Sequence, residues 1–329
     1  MASIRDVAQL ANVSPATVSR VMNGTANVDA DKKERVLRAI EETGFVPNAV
    51  ARSLFKKSAK TIGLIVPNIE NPFFTQLANV IEQTADAGGF RILLCSSNND
   101  LEKEKSMIQL LTSMNADGII ISTNNEELIP VIDACEIPVV ITDRRIEKVM
   151  SSDYVHCDHY EGGRMAMEHL LECGCKNIVC MRASQDISSA RARYDGYADV
   201  CRERGVKRQI IDCNYVYEEG IEKTELLLEK YPDVDGIVAC NDMVALAAYK
   251  VLHSKGIKVP EQVQIIGFDD IKWASLMTPA LTTISQPIEE IGQKVAELII
   301  HKDEYIGIKK EYIFQAKLVE RETTRRKKN

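Results

Sequence analysis

The apolar positions of the chain fall into two regimes. Over the first sixty residues they recur at helical spacing: Ile4, Val7, Ala8 and Ala11 share one face, Val18 and Val21 a second, and Val36, Leu37 and Ile40 a third. The pattern predicts a helix opened by Ser3, with the Asp6 charge in its first turn, and a second opened by Ser14 with Pro15 at its first position. A third runs over Asp31 to Thr43 and stops at Gly44. From Lys60 onward the period changes. Short apolar runs at 61–67, 90–97, 117–123 and 138–144 alternate with helical stretches near 72–87, 101–114 and 127–135, and 154–158 leads into a helix over 160–172. The alternation then restarts, with strands at 177–181, 210–215, 236–240 and 263–270 between helices over 188–204, 218–230 and 242–253. Residues 281–286 precede a last helix over 288–300, and the basic run Arg325 to Lys328 reads as a solvated tail. Such alternation predicts two doubly wound parallel α/β lobes in series.

The first two helices are joined by a tight turn at Asn12. The second leaves Pro15, Ala16, Thr17, Ser19 and Arg20 outside its apolar stripe, a small, polar and basic face. That is the helix-turn-helix arrangement; an ordinary helical hairpin is the plainer reading of the same pattern. Charge separates the two. Residues 1–60 carry ten Lys/Arg against six Asp/Glu, a net +4, whereas the remainder carries thirty-one against forty-two, a net −11. A basic module on an acidic body points to a polyanion met by the first part alone.

Other classes find little support. The opening MASIRDV has no signal-peptide core and no apolar run reaches membrane-spanning length, which places the chain in the cytoplasm without membrane contact. The nine cysteines are scattered and read as reduced packing residues, Cys173 and Cys175 lacking a second ligand pair for zinc. There is no nucleophile–base spacing, no phosphate loop and no metal cluster, so neither catalysis nor a cofactor is expected. The five histidines read as helix-cap and surface residues.

Candidate chemistry gathers where strands end, the side of α/β sheets where ligands bind. Asn71, Phe73 and Phe74 follow the first strand, Asp143 and Arg144 the fourth, Asn241 and Asp242 the GIVAC strand, Phe268 and Asp269 the VQIIG strand, and Gln286 the LTTIS strand; Arg191 and Arg193 open a helix. Carboxylates and amides answer sugar hydroxyls, and Phe73, Phe74 or Phe268 suits the apolar face of a sugar ring. Arg144 and Arg193 are balanced by Asp143 and Asp269, which favours a neutral ligand over a phosphate.

The segments IRDVAxLAxVSxATVSRVMN and ERVLxAIxxxGFVPNxVARSL resemble the N-terminal domain of the LacI/GalR family of bacterial repressors, nearly residue for residue from Ile4 to Leu54. The resemblance implies a lambda-repressor-like helix-turn-helix domain over 1–46, a hinge helix or linker over 47–59, and a two-lobed body resembling periplasmic sugar-binding proteins over 60–329. Its first lobe would take about 60–158 and 288–310, and its second 159–287 and 311–329. It implies that Pro15, Ala16 and Arg20 face base edges, with Arg20 on a guanine, and that Ser3, Ser14, Thr17, Ser19, Asn23 and Thr25 position phosphates. In the hinge it implies a minor-groove wedge at Leu54, close helix approach at Ala51 and a phosphate or groove-edge contact from Arg52.

In the body, the order NPFF, DR, RxR, ND, GFD and Gln before Pro is similar to the ribose-contacting residues of ribose-binding proteins and ribose-responsive repressors. It implies contacts from Asn71, Phe73, Phe74, Asp143, Arg144, Arg193, Asn241, Asp269 and Gln286, with Tyr217 and Phe268 as aromatic walls. Cys157 stands where a serine is common before the aspartate Asp158, and Ser122 or Thr123 stands where an asparagine is common. The partners implied are pseudo-palindromic operator DNA, a neutral sugar such as ribose, and a second copy of the chain. The sign of coupling stays open, as does a purine, nucleoside or phosphoprotein corepressor. A sugar-modifying enzyme would need a proton-transfer pair over the cleft, and a transport protein a signal peptide.

Overall fold

The structure is a computed structural model that describes residues 2–23, 28–45, 58–146, 149, 151–304 and 310–325. The chain divides into two compact units, Met1–Ala59 and Lys60–Asn329.

The first unit holds helices α1 (Ile4–Leu10), α2 (Pro15–Asn23) and α3 (Ala30–Thr43). Ser3 and Asp6 form a reciprocal capping box at the start of α1. Asn12 takes a left-handed conformation in the turn, with φ 53°. The Ser14 hydroxyl then accepts from the Thr17 N–H at 3.2 Å and meets its hydroxyl at 2.9 Å, which starts α2. Val7, Ala8, Ala11, Val18, Val36 and Ala39 close a small core, and Arg35 ties α3 to the end of α1 by donating to the Ala11 carbonyl at 3.1 Å. Gly44 ends α3 at φ 60°.

In the second unit, β1 (Thr61–Val66), α4 (Pro72–Ala87), β2 (Arg91–Ser96), α5 (Leu101–Ser113), β3 (Gly118–Ile121), α6 (Ile129–Asp133), β4 (Val139–Thr142) and β5 (Asp153–Cys157) build the first lobe. The chain then crosses at Asp158 into α7 (His159–Glu172), β6 (Ile178–Arg182), α8 (Ser188–Arg204), β7 (Gln209–Asp212), α9 (Tyr217–Lys230) and β8 (Gly236–Ala239). The second lobe is completed by α10 (Asp242–Ser254), β9 (Gln264–Asp269), α11 (Lys272–Leu276) and β10 (Thr282–Ser285). Helix α12 (Ile288–Ile300) returns to pack on α4 and β3 to β5. Strand β11 (Glu311–Phe314) pairs with β5, and β12 (Lys317–Val319) with β10.

The two sheets run β11-β5-β4-β3-β1-β2 and β12-β10-β9-β8-β6-β7, each parallel except for β12. Both carry the same order, with a switch of direction between β1 and β3 in one lobe and between β6 and β8 in the other. There, strand carboxyl ends open on a crevice.

One reading of the chain's end needs correction. The sequence assigns 311–329 to the second lobe, but β11 extends the first sheet, so the last crossing falls between Phe314 and Lys317. Arg325 is exposed, yet it is tied to the second lobe. Its N–H donates to Gln264 Oε1 at 2.7 Å and its guanidinium to the Glu261 carbonyl at 2.6 Å, while Thr323 and Thr324 are buried. These strands, of four and three residues, are too short to register as a period.

Candidate functional site

On the first unit, the burial of Val18 turns the opposite side of α2 to solvent. Pro15, Ala16, Arg20 and Ser14 are exposed, and Thr17 and Ser19 are half-buried. The side chains of Ser3 and Ser14 already serve as caps of their helices, and Arg20 stands in the last turn of α2. Helix starts favour anions, and an exposed guanidinium next to small side chains is free to reach a base edge. Asn23 closes α2. Thr25, Ala51, Arg52 and Leu54, with the hinge over 47–57, lie outside the described residues.

On the body, the structure brings most of the strand-end residues together between the lobes. Asp143 closes β4 in a left-handed conformation, φ 65°, and Asp269 closes β9 at φ 114°. Non-glycine residues bear such backbone strain mainly at sites where the surroundings hold them for a purpose. Asp143 accepts from Ser122 Oγ at 3.4 Å and lies 3.7 Å from Arg144 Nε. Arg144, nearly fully buried, donates to Asn124 Oδ1 at 2.9 Å and to Asn99 Oδ1 at 2.5 Å. Across the crevice, Arg193 donates to the Cys240 carbonyl at 2.8 Å and to Asp269 Oδ1 at 3.3 Å, and Gln286 donates to the same carboxylate oxygen at 2.8 Å.

His159 joins the two halves. Arg193 Nε–H donates to its Nδ1 at 3.3 Å, so the proton sits on Nε2, which reaches the Asp143 carbonyl at 3.2 Å. Burial, with Arg193 and His156 nearby, holds its pKa well below the ordinary imidazole value, so the ring is neutral. Burial raises both carboxylates: Asp143 upward against the pull of Arg144 and Arg193, and Asp269 to about 6 against Arg193 and Gln286. The crevice thus holds two carboxylates, two guanidiniums and a neutral imidazole, a balanced set with little net attraction for an ionic ligand.

Several residues take roles the sequence does not suggest. Phe268 does not present a free face: the Arg193 guanidinium covers it at 3.7 Å from the ring centroid, and His159 packs at 6.0 Å. It is a platform that holds Arg193. Tyr217 opens α9, half-buried; the ring beside Arg193 is that of Tyr215, 5.7 Å away, in the turn between β7 and α9. Phe73 and Phe74 are buried edge-to-face at 5.0 Å. Asn71 caps α4 by accepting from the Phe73 N–H at 3.1 Å, and Asn241 caps α10 by accepting from Val244 N–H at 2.9 Å.

Asp158 caps α7, Cys157 is buried, and Thr123 turns to the buried Glu104. His159 and His169 are buried, against the expectation of surface histidines. Asn99, Asn124, His159 and Tyr215 escape a sequence reading because only the fold sets them next to Arg144 and Arg193. A side cavity of about 470 Å³, lined by Asn124, Asp158, His159, Ser188 and Arg191 among others, lies against the lobe crossings.

A helix-turn-helix unit carried with a two-lobed body whose charged residues converge between parallel sheets defines a DNA-binding regulator. Comparison with known proteins agrees. Residues 3–48 match the bacterial regulatory proteins of the lacI family, and residues 59–316 match the periplasmic binding proteins and sugar binding domain of the LacI family. A ribose operon repressor of Halalkalibacterium halodurans is 38% identical, over 99% of this chain and 98% of its own. The lac repressor dimer bound to operator and an anti-inducer superposes with a TM-score of 0.89 at 26% identity, covering 98% of both chains. A LacI family regulator from Enterococcus faecium with bound ribose gives a TM-score of 0.73 at 28% identity, over 80% of this chain and 98% of its own. The chain belongs to the LacI family and is a transcriptional repressor rather than an enzyme. Among the described residues no helix is long and apolar enough to cross a membrane.

Proposed function

We propose that the protein represses a sugar-utilisation operon from the cytoplasm and that a neutral sugar, ribose, is its effector. The observation that carries this reading is the balanced cluster of Asp143, Arg144, Arg193, Asp269 and Gln286 at the strand ends of two facing lobes. Its donors and acceptors suit a ligand whose every polar group both donates and accepts, and its cancelled charge gives no reward to a phosphate. The similarity to a ribose operon repressor and to a ribose-bound regulator supports the same sugar.

DNA reading would fall to Arg20, Pro15 and Ala16, with Ser3, Ser14, Thr17, Ser19, Asn23 and Thr25 on phosphates. Two copies are needed to read a two-fold operator. The 47–59 segment would form paired hinge helices, close at Ala51 and wedged at Leu54, with Arg52 on the groove edge. Sugar in the crevice favours one arrangement of the lobes, and the hinges answer to that arrangement. Coupling of about 1–3 kcal/mol, up to roughly a hundredfold in operator affinity, is typical of such linkage.

Operator binding titrated with ribose, other pentoses, hexoses, nucleosides and their phosphates tests this reading. Ribose is expected to weaken operator binding and sugar phosphates to leave it unchanged. A response to a purine or a phosphorylated ligand alone, or a tightening by ribose, would overturn it.

A further inference from the structure

Glu104, in the first turn of α5, is fully buried. A buried carboxyl group is costly unless its oxygens are bonded, so its partners show what it is kept for. Ser97 Oγ donates to Oε1 at 3.1 Å, Thr123 Oγ1 donates to Oε2 at 2.9 Å, and the Asn125 amide donates to Oε2 as well. All three partners donate, which suits a group that only accepts.

Those donors belong to two loops. Ser97 follows β2, while Thr123 and Asn125 follow β3, on either side of β1 in the sheet. Each hydroxyl also orders its own loop: Ser97 Oγ accepts from the Asn99 N–H at 3.2 Å, and Thr123 Oγ1 from the Asn125 N–H at 3.1 Å. Asn98 and Asn99 hold left-handed backbones, φ 56° and 58°, a conformation that needs support from its surroundings. Beside these anchors stand Asn99 and Asn124, whose side-chain oxygens both accept from Arg144 Nη1, at 2.5 and 2.9 Å. Arg144 is itself nearly fully buried, and Asp143 stands 3.7 Å from its Nε, beyond a hydrogen bond. Burial pulls the Arg144 pKa down, and Asp143, Tyr215 and Glu104 push it back.

We propose that Glu104 is a positioning residue for the effector site: its carboxylate ties the loops after β2 and β3 into one frame, and that frame holds the Arg144 guanidinium at the crevice. A carboxylate serves here because it accepts from both loops at once and offsets the positive charge that the frame buries. This inference rests on the sugar reading proposed above.

The test is calorimetric titration with D-ribose of the full-length protein, its Glu104→Gln and Arg144→Met variants, and the double variant. Glutamine has nearly the same shape, and the Ser97 and Thr123 hydroxyls can turn to meet its amide, so the charge is lost while the fold is kept. Glu104→Gln is expected to bind ribose about tenfold more weakly. Beside Arg144→Met the same change should alter affinity by less than about twofold, because the group it positions is gone. Unchanged ribose binding in Glu104→Gln overturns the inference. So does a tenfold loss that recurs in full beside Arg144→Met, which would mark a carboxylate that only stabilises the lobe. The Arg144 guanidinium N–H resonances of the ligand-free protein, assigned by their loss in Arg144→Met, give a second readout. They should be sharp in the unaltered protein and broadened in Glu104→Gln, and resonances that do not change overturn the inference. That readout needs no ligand, so failure of the unaltered protein to bind ribose overturns the sugar reading alone. If Glu104→Gln does not fold, Ser97→Ala, which cuts Glu104 from the Asn99 loop, carries the same expectations and the same refutations.

Discussion

Arg193 shows how much a single side chain depends on its neighbours. One residue of a helix reaches a carboxylate, a backbone carbonyl, an imidazole and two aromatic rings. Its RxR spacing and its place after a strand were legible in the sequence; His159 and Tyr215 were not, because they join it from other elements. The pH response follows from its partner Asp269, whose carboxyl burial raises to about 6. Above that pH the carboxylate accepts from Arg193 and Gln286 and, on the proposed reading, would accept from a sugar hydroxyl; below it a proton competes for the same lone pairs. Ribose affinity is therefore expected to fall as pH is lowered through about 6 and to level off above 7, measured by calorimetry across that range. The contribution of Asp269 to stability has the opposite sign. Its proton is held more tightly in the folded chain than in the unfolded one, which titrates near 3.9. That contribution is thus fully present below about 4 and is lost as pH rises through about 6.

At the scale of elements, the contact between α7 and α8 sets the position of Arg193. A Cβ at Gly163 would collide with the Arg193 carbonyl, and one at Gly196 with the Tyr160 carbonyl, so the two helices touch backbone to backbone. A glycine in a helix interior costs about 1 kcal/mol relative to alanine. Gly163→Ala would recover that in propensity but must push α8 and its arginine away, and overpacking costs typically 1–3 kcal/mol. The collision is with backbone, which cannot swing aside, so the expected result is a net loss of stability with weaker ribose binding. Urea unfolding and calorimetry check both; a gain in stability would mean that the helices part easily. The helices themselves were plain in the sequence, with α8 and α12 falling at their expected bounds. Their closeness was not, since a glycine inside a periodic run reads only as a tolerated defect.

For the whole molecule, the division at Ala59 separates a unit with its own small core from one with its own large ones. Residues 60–329 alone are therefore expected to fold and to bind ribose with the affinity of the full chain, and to lose operator binding. Calorimetry and a gel-shift measurement on the truncated protein check the two halves of that expectation. Loss of ribose binding would mean that the crevice needs the first unit. The lobes are joined by three crossings, at Asp158, after Gln286 and after Phe314, and by bonds outside them. Arg145 N–H donates to Ser188 Oγ at 2.6 Å and Lys272 N–H to Gln76 Oε1 at 3.1 Å.

What the sequence by itself determined is what local physics writes: helix periods and caps in the first sixty residues, the alternation of strands and helices, and the strand ends where polar residues collect. Asn71, Asp143, Asp269 and Gln286 could be picked out because a strand's end is a position along the chain. The tertiary structure alone decided which of these groups face one another. It returned β11 to the first lobe, laid Arg193 over the Phe268 ring, set the Tyr215 ring beside Arg193 and placed a neutral histidine between two charged clusters. Burial and pairing depend on residues distant in sequence, and no local period records which carboxylate a buried guanidinium will meet.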